Sequence, residues 1–526
     1  MNSPFADALA AAGGQLFRGE ASSLAFAPEA WRERRWFFVP YDQLHEQLHS
    51  WSELPPEEVG LIFIETLAKG RRRPYHKQKL ALVLANQRHF ALEAAARGVA
   101  VHYLWTELDY ADSLRAVLAG QDEVSIAVAE PAERELRLEL APLAEEGRLE
   151  VLPHRGWLTT PEQFAASCAK RPYRMDSFYR RVRKDSGWLM EQGKPLGGKW
   201  SFDAENRQPW KGEPTAPERP SFPPDPIKKE VVAWVERAFA DHPGELELAY
   251  LPATLADAEQ AWAWAQQQCL EYFGPYEDAM SEASTGLFHT RIAPLLNLHR
   301  LMPRRVVEDV LASAAPLASR EGFLRQIAGW REFVRHVHRE TEGFDGLVQS
   351  SGVPLPPVFW GQAKSGLRCL DHTIETVWNE GYSHHITRLM VLGNLATLLD
   401  LDARELSDWF WVAYTDAYDW VVEPNVLGMA TWATGGVMTT KPYISGAGYI
   451  DRMGDHCGPC AFHPKKDCPI TRLYWAWLDR HAGELEGNVR MAMPLRSLQK
   501  RDPKKRAEDE EIFERTRNSL AQGLAV

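Results

Sequence analysis

Between Trp36 and residue 155, apolar residues come in short dense runs separated by segments of mixed spacing. RRWFFVPYDQL reads as a buried strand running into a loop, and VGLIFIET as a second strand. VAVHYLWT and SIAVAEP read as a third and a fourth. After the second strand comes HKQKLALVLANQRHFALEAAARG, and after the fourth ERELRLELAPLAEEG; both read as amphipathic helices. Strand alternating with helix predicts a doubly wound parallel α/β domain over 35–155. Residues 1–34 show no such pattern and read as a loose extension. From about Ile227 the rhythm is helical, as in DAEQAWAWAQQQCLEYF and EGFLRQIAGWREFVRHVHRETEG. An all-helical domain is therefore expected over 241–526, with 156–240 as a linker. GKPLGGKWSFDAENRQPWKGEPTAPERPSFPPDP is the Gly- and Pro-rich part of that linker.

The two halves offer different chemistry. In a parallel sheet, ligands sit beyond the carboxyl ends of the strands. Those ends carry Tyr41, Asp42, Gln43 and Glu65, which by themselves are ordinary loop and cap residues. In the linker, Lys170, Arg171, Arg174, Arg180, Arg181, Arg183 and Lys184 are interleaved with Tyr173, Phe178 and Tyr179. That run is either one solvated helix face or a surface for a polyanion. Gly193 to Lys199 fits the spacing of a phosphate loop, but Trp200 replaces the required hydroxyl and no strand precedes it, which rules that reading out.

Composition changes this picture little. A hydrophobic share of 45% and a charged share of 25% describe a globular protein, and no apolar run is long enough to span a bilayer. Six cysteines and no apolar leader at the N-terminus lead to an expected cytoplasmic location. The net charge of −12 does not advertise nucleic-acid binding, yet local basic patches govern that affinity. Twenty tryptophans suit a protein that stacks rings on a cofactor or passes electrons between indoles.

The sharpest motif is YIDRMGDHCGPCAFHPKKDCP, which places Cys457, Cys460 and Cys468 within twelve residues. A fourth thiolate, for which Cys369 is the candidate, would complete a site for a 4Fe–4S cluster or for zinc. One C-x2-C knuckle with a trailing and a remote cysteine favours the cluster. Three further segments stand out. SEASTGLFHTRIAPLLNLHRLMP brings small and hydroxyl residues to Arg291 at a helix start, a place for a diphosphate. FLRQIAGWREF sets Gln326 and Trp330 along a helix. GYSHHITRLMVLGN carries His384 and His385 on different faces, beside Arg388, a pattern suited to proton transfer.

FLRQIAGWREF, YSHHITRLM, RMDSFYRRVRKDSGWLMEQGKPLGGKWSFDAENR and DAYDWVVEPNVLGMATWATGGVMTTKPYISGAGYIDRM resemble the photolyase–cryptochrome superfamily. The resemblance is closest to its iron–sulfur bacterial branch, the prokaryotic (6-4) photolyases and related cryptochromes. It runs from about Trp36 to Leu478. It implies an α/β antenna domain and a helical domain that binds FAD, with a 4Fe–4S cluster on Cys369, Cys457, Cys460 and Cys468. It implies that Arg388 lies near the flavin ring and pairs with Asp416. His289, Thr290 and Arg291 match the phosphate-contacting run, and Gln326 and Trp330 a flavin-binding helix. His384 and His385 match the paired histidines of the lesion pocket, and Trp409 the indole nearest the flavin.

Two departures bear on chemistry. The family's antenna domain usually carries G-D-Q-L where a 6,7-dimethyl-8-ribityllumazine chromophore binds; here Tyr41-Asp42-Gln43-Leu44 puts bulk in that place, although Glu65 and His76-Lys77 fit. The tyrosine that commonly follows the proximal indole is Phe410, which has no phenolic proton to lose, leaving Trp411 and Trp360 as substitute relays. The expected function is light-dependent repair of (6-4) photoproducts in UV-damaged DNA by a monomer with reduced FAD and a histidine proton donor. The alternative is a blue-light cryptochrome that signals without repair.

Overall fold

The structure, a computed structural model, describes residues 3–19, 31, 34–121 and 124–526. Six parallel strands form one sheet: β1 (Gln15–Arg18), β2 (Arg35–Phe38), β3 (Val59–Thr66), β4 (Ala100–Thr106), β5 (Ile126–Ala129) and β6 (Leu149–Leu152). Their order is β1-β4-β3-β2-β5-β6. β3 is buried along its whole length, which is why VGLIFIET shows no alternation: helices cover both faces. The chain winds outward from β2 through β3 and β4, then crosses back to β5, so the switch point lies between β2 and β5.

The described part of the N-terminus is not a loose extension. Helix α1 (Pro4–Ala11) is capped by Ser3 and begins on Pro4. It buries Phe5 and Leu9, and Phe5 meets Tyr103 edge-on at 4.6 Å. β1 then pairs Gln15–Arg18 with His102–Trp105 and becomes an edge strand. Four residues are too short a run for periodicity to reveal, and pairing with β4 supplies what the pattern lacked.

The sheet carries helices α2 (Lys77–Ala95), α3 (Tyr110–Val117) and α4 (Arg134–Glu145). The connector holds α5 (Met175–Ser186), a two-strand hairpin at 190–195 and α6 (Pro226–Ala238). The remainder is helical. It includes α7 (Leu255–Gln268), α8 (Arg368–Glu380), α9 (Ala403–Ala413), α10 (Pro469–Arg480), α11 (Ala492–Gln499) and α12 (Pro503–Ala521). One apolar core runs from the sheet through α5 to Trp262, Phe333 and Trp420. A second lies among the later helices around Phe359, Trp409 and Trp477. Among the described residues, no helix is long and apolar enough to cross a membrane.

Candidate active site and cysteine cluster

Helix α8 ends where Gly381 takes φ +61, a left-handed conformation that glycine adopts freely. The Gly381 carbonyl accepts from the Thr415 backbone, which fastens the loop after α9 to the loop after α8. These two loops carry the central ion pair. Arg388 donates to both Asp416 oxygens at 3.0 Å and to the Ser383 carbonyl at 2.8 Å. Its guanidinium lies 4.0 Å from the Tyr414 ring centre. The Asp416 carbonyl accepts from Asn297, whose own carbonyl oxygen accepts from Arg331. Gln326 and Trp330 sit on the same wide π-helical turn (Arg325–Arg331), but it is Arg331 that reaches this network.

Beside the pair stand three imidazoles. His384 caps the short helix His385–Thr387 instead of lying within it. His289 and His384 stack at 4.5 Å with their planes 8° apart, and His289 meets His385 edge-on at 5.3 Å. His289 Nε2 and His384 Nδ1 are buried without a hydrogen-bond partner. Burial, and then the neighbouring imidazoles and arginines, hold the His384 pKa well below the ordinary value; His289 is depressed in the same way. His385 differs: its side chain is 44% exposed and its Nε2 lies 3.7 Å from Asp278. Burial works to raise the Asp278 carboxyl, but hydrogen bonding to His385 and Tyr449 and the charge of Arg207 hold it below the usual range. The Tyr449 hydroxyl donates to Asp278 at 3.0 Å. Asp278 and Tyr449 were not singled out in the sequence, because they lie 107 and 64 residues from His385.

Trp409 lies on α9, 1% exposed, and donates its indole N–H to the Phe359 carbonyl at 2.9 Å. Trp378, on α8, donates to the same carbonyl at 2.9 Å. Its ring centre is 6.0 Å from that of Trp409 and 6.0 Å from that of Trp360, on which it stacks at 19°. Trp360 and Trp378 are half-buried. Trp411 faces elsewhere, 4.0 Å from the Arg73 guanidinium and 5.7 Å from the Lys69 ammonium. Two cations beside that ring disfavour a positive indole radical there. Sequence reading missed Trp378.

Thr290 and Arg291 line a cleft of about 740 Å³ with Arg219, Tyr250, Glu380 and Tyr382. Arg291 has φ +55, uncommon outside glycine, and pairs with Glu380 at 2.7 Å while covering the Tyr382 ring at 4.1 Å. Arg219 also faces Glu380, at 3.5 Å. A hydroxyl, two guanidiniums and two aromatic faces are a donor set suited to an anionic dinucleotide.

At the sheet end the sequence candidates serve the fold. Glu65 accepts two bonds from Arg88, at 2.9 and 2.8 Å, and one from Tyr103 at 2.8 Å. Gln43 spans the switch point, donating to the Ala129 carbonyl at 2.9 Å. His76 caps α2 with one ring nitrogen and meets the Trp378 carbonyl with the other. Asp42 is 1% exposed; burial, with Asp419 nearby, pushes its carboxyl up to about 7. Tyr41 does not close the crevice. It forms one wall of a cavity of about 680 Å³ shared with Glu65, Lys69, Tyr110, Trp411 and Tyr418.

The four motif cysteines come from three segments. Cys369 is in the first turn of α8, Cys457 and Cys460 are in a loop, and Cys468 caps α10 with Pro469 as its first residue. All are free thiols. Burial raises the Cys369 thiol, and the neighbouring Cys468, Cys457 and Cys460 raise it further. Cys457 and Cys468 are pushed up to about 12 and about 11, again chiefly by burial. Cys168 and Cys269 stand apart, each near a backbone carbonyl, of Arg174 and His289 respectively.

The basic linker is only partly a surface. Phe178 and Tyr179 are core residues at 0% and 1% exposure. Arg183 is buried and donates to the carbonyls of Trp188, Leu189 and Trp200. Arg181 is paired with Asp185 at 2.8 Å.

Comparison with known proteins places this architecture. The family of deoxyribodipyrimidine photo-lyase-related proteins matches residues 37–250. The (6-4) photolyase of Agrobacterium fabrum is 34% identical over 474 residues, which cover 86% of this chain and 93% of that protein. Among solved structures, a bacterial class III photolyase from Agrobacterium tumefaciens aligns with a TM-score of 0.51 at 14% identity, over 94% of this chain and 97% of that one. A Synechocystis cryptochrome aligns with a TM-score of 0.51 at 15% identity, over 76% and 82%. At such identities the structural likeness speaks for the fold, while the sequence match over nearly the whole (6-4) enzyme carries the assignment. The chain belongs to the photolyase–cryptochrome superfamily, in its prokaryotic (6-4) photolyase branch.

Proposed function

We propose that this protein is a light-dependent DNA photolyase that reverts pyrimidine (6-4) photoproducts. The observation that carries the reading is the contrast within the histidine group beside Arg388–Asp416: two stacked imidazoles are buried and neutral, and one faces solvent and an ionised aspartate. A proton donor must hold a proton near neutral pH and release it to the reacting atom. Of the three imidazoles, His385 is the one that reaches both solvent and the Asp278 carboxylate, at 3.7 Å. His384 and His289, held neutral, shape the pocket that receives an extruded base.

FAD, when bound, supplies the light-driven electron. Thr290, Arg291 and Arg219 would hold its diphosphate, and Arg388, fixed by Asp416, would lie at its ring system. Trp409, Trp378 and Trp360 would feed electrons toward that ring, with Trp378 taking the part that Phe410 cannot play. Cys369, Cys457, Cys460 and Cys468 would bind a 4Fe–4S cluster that ties α8, the preceding loop and α10 together. One C-x2-C knuckle with a trailing and a remote cysteine supports iron–sulfur over zinc.

The test is direct. Reduced protein is illuminated with an oligonucleotide bearing one (6-4) photoproduct, and loss of the lesion's near-ultraviolet absorbance is followed. Light-dependent loss supports the reading. Reduced, lesion-bound protein that leaves the absorbance unchanged overturns it in favour of a signalling cryptochrome.

A further inference from the structure

We infer that the turn Asn488–Met493 is an apolar wedge that enters duplex DNA beside the histidine pocket, with the basic segment behind it holding the phosphates. The inference rests on the repair reading and adds to it the element that opens the duplex. Val489 is 87% exposed and Met493 77%, the two highest values among the large apolar residues described. They stand four residues apart, one helical turn, so they form a pair and not scattered surface residues.

The turn is tied to the segment at Thr440. Asn488 donates to the Thr440 carbonyl at 3.0 Å, and Arg490 donates to the Thr440 hydroxyl at 3.2 Å. Met491 and Leu498 anchor it from below, each 4% exposed. Lys441, next to Thr440, has its pKa lowered by burial and then by the charges of Arg490 and Arg207. Arg207 lies 3.5 Å from Asp278, and Asp278 lies 3.7 Å from His385. Thr440 opens the segment that leads to Tyr449, whose hydroxyl donates to Asp278 beside His385, so the turn is fastened to a segment that reaches the proposed proton donor.

The charge behind the turn fits DNA. Among the described residues, Arg490, Arg496, Lys500, Lys504 and Lys505 make no ion pair, whereas Arg501 and Arg506 are committed to Asp509 and Asp479. Unpaired cations flanking an exposed apolar pair are the composition of a duplex wedge: the cations take phosphates, and the apolar groups fill the space that an extruded base leaves in the stack. Two side chains on a protrusion are too small a face for lipid anchoring.

The test uses the full-length protein and four probes: duplex with a (6-4) lesion, the same lesion in single-stranded DNA, undamaged duplex, and vesicles of anionic phospholipid. Val489→Ser/Met493→Ser is expected to weaken lesion-duplex binding about tenfold while single-strand affinity changes less than twofold. Its melting temperature should match that of the wild type, since both side chains are exposed. Arg490→Gln/Arg496→Gln should reduce the salt slope of duplex binding by about two. Equal losses on duplex and single strand, or no loss on either, would overturn the wedge. Vesicle binding that depends on Val489 and Met493, without an effect on DNA, would replace DNA by a membrane surface. A wild type that binds both duplexes equally counts against the repair reading, and the undamaged duplex still reads the wedge and the salt slope.

Discussion

At the carboxyl end of β3, Glu65 accepts three hydrogen bonds from Arg88 and Tyr103, and Gln43 closes the switch point onto Ala129. In the helical half, His289 and His384 lie just as deeply buried, yet a ring nitrogen of each finds no partner. Burying an unpaired polar group costs about 1–3 kcal/mol, and the sheet end carries such atoms too, at Asp42 Oδ1 and Gln43 Oε1. What differs is the partner: Glu65 and Arg88 form a buried ion pair that joins a strand to a helix, whereas His289 and His384 are stacked rings beside the half-exposed His385. Burial alone does not make that distinction; the partner does.

The sharpest way to break the comparison is His385→Ala. Repair should fall by about 10²–10⁴, the ordinary contribution of a general acid, in a single-turnover assay on pre-reduced protein. His385→Ala that repairs at the wild-type rate removes the proton-donor assignment. Asp278→Asn should act through His385, from which it lies 3.7 Å, with a loss of about tenfold in repair and no loss of lesion binding. Asp278→Glu should restore part of it.

Glu65→Gln tests the other side. Removing one partner of a buried pair leaves Arg88 with Glu230 alone, at 3.5 Å, at a cost of at most about 3–5 kcal/mol. Urea unfolding should show that loss; an unchanged midpoint would mean that Glu65 is not structural. The relay comes next in size. Trp378→Phe should slow photoreduction of oxidised FAD by external thiol about tenfold and shorten the life of the tryptophan radical seen by transient absorption. Trp411→Phe should leave both unchanged, and the reverse pattern would reassign the route.

The last effect concerns pH. With its folded pKa raised to about 7, the Asp42 carboxyl keeps its proton in the native state where the unfolded chain has already lost it. Stability from this group is complete below about pH 4 and is lost as pH rises toward 7. Asp42→Asn should flatten the melting temperature over that window, which for a rise of about three units corresponds to a change of up to about 4 kcal/mol. A wild type with no decline over the window would show that Asp42 is ionised in the folded protein.

Much of this was legible in the chain. The four strands read from dense apolar runs are β2 to β5, because a sheet covered on both faces writes continuous hydrophobic sequence. β1 was missed because a four-residue edge strand is defined by its partner. Phe178 and Tyr179 looked like a stacking surface, since aromatic residues among arginines appear the same in sequence whether a helix turns them inward or outward. Tyr41 looked like a plug, yet its ring lies along a cavity wall, a matter of rotamer and neighbours.

The sequence by itself determined the alternation of strand and helix, the helical second half, the cysteine spacing and the family resemblance. Each of these is carried by local periodicity or by residues close together in the chain. Tertiary structure alone decided that Trp378 stands between Trp409 and Trp360, that Asp278 faces His385, and that Glu65 is spent on Arg88. It also decided that His384 is buried and neutral while its neighbour His385 is exposed. Proton affinity, ring contact and ion pairing fall off over a few ångströms. They are therefore fixed by which distant segments the fold brings together, and two adjacent identical residues can take opposite parts.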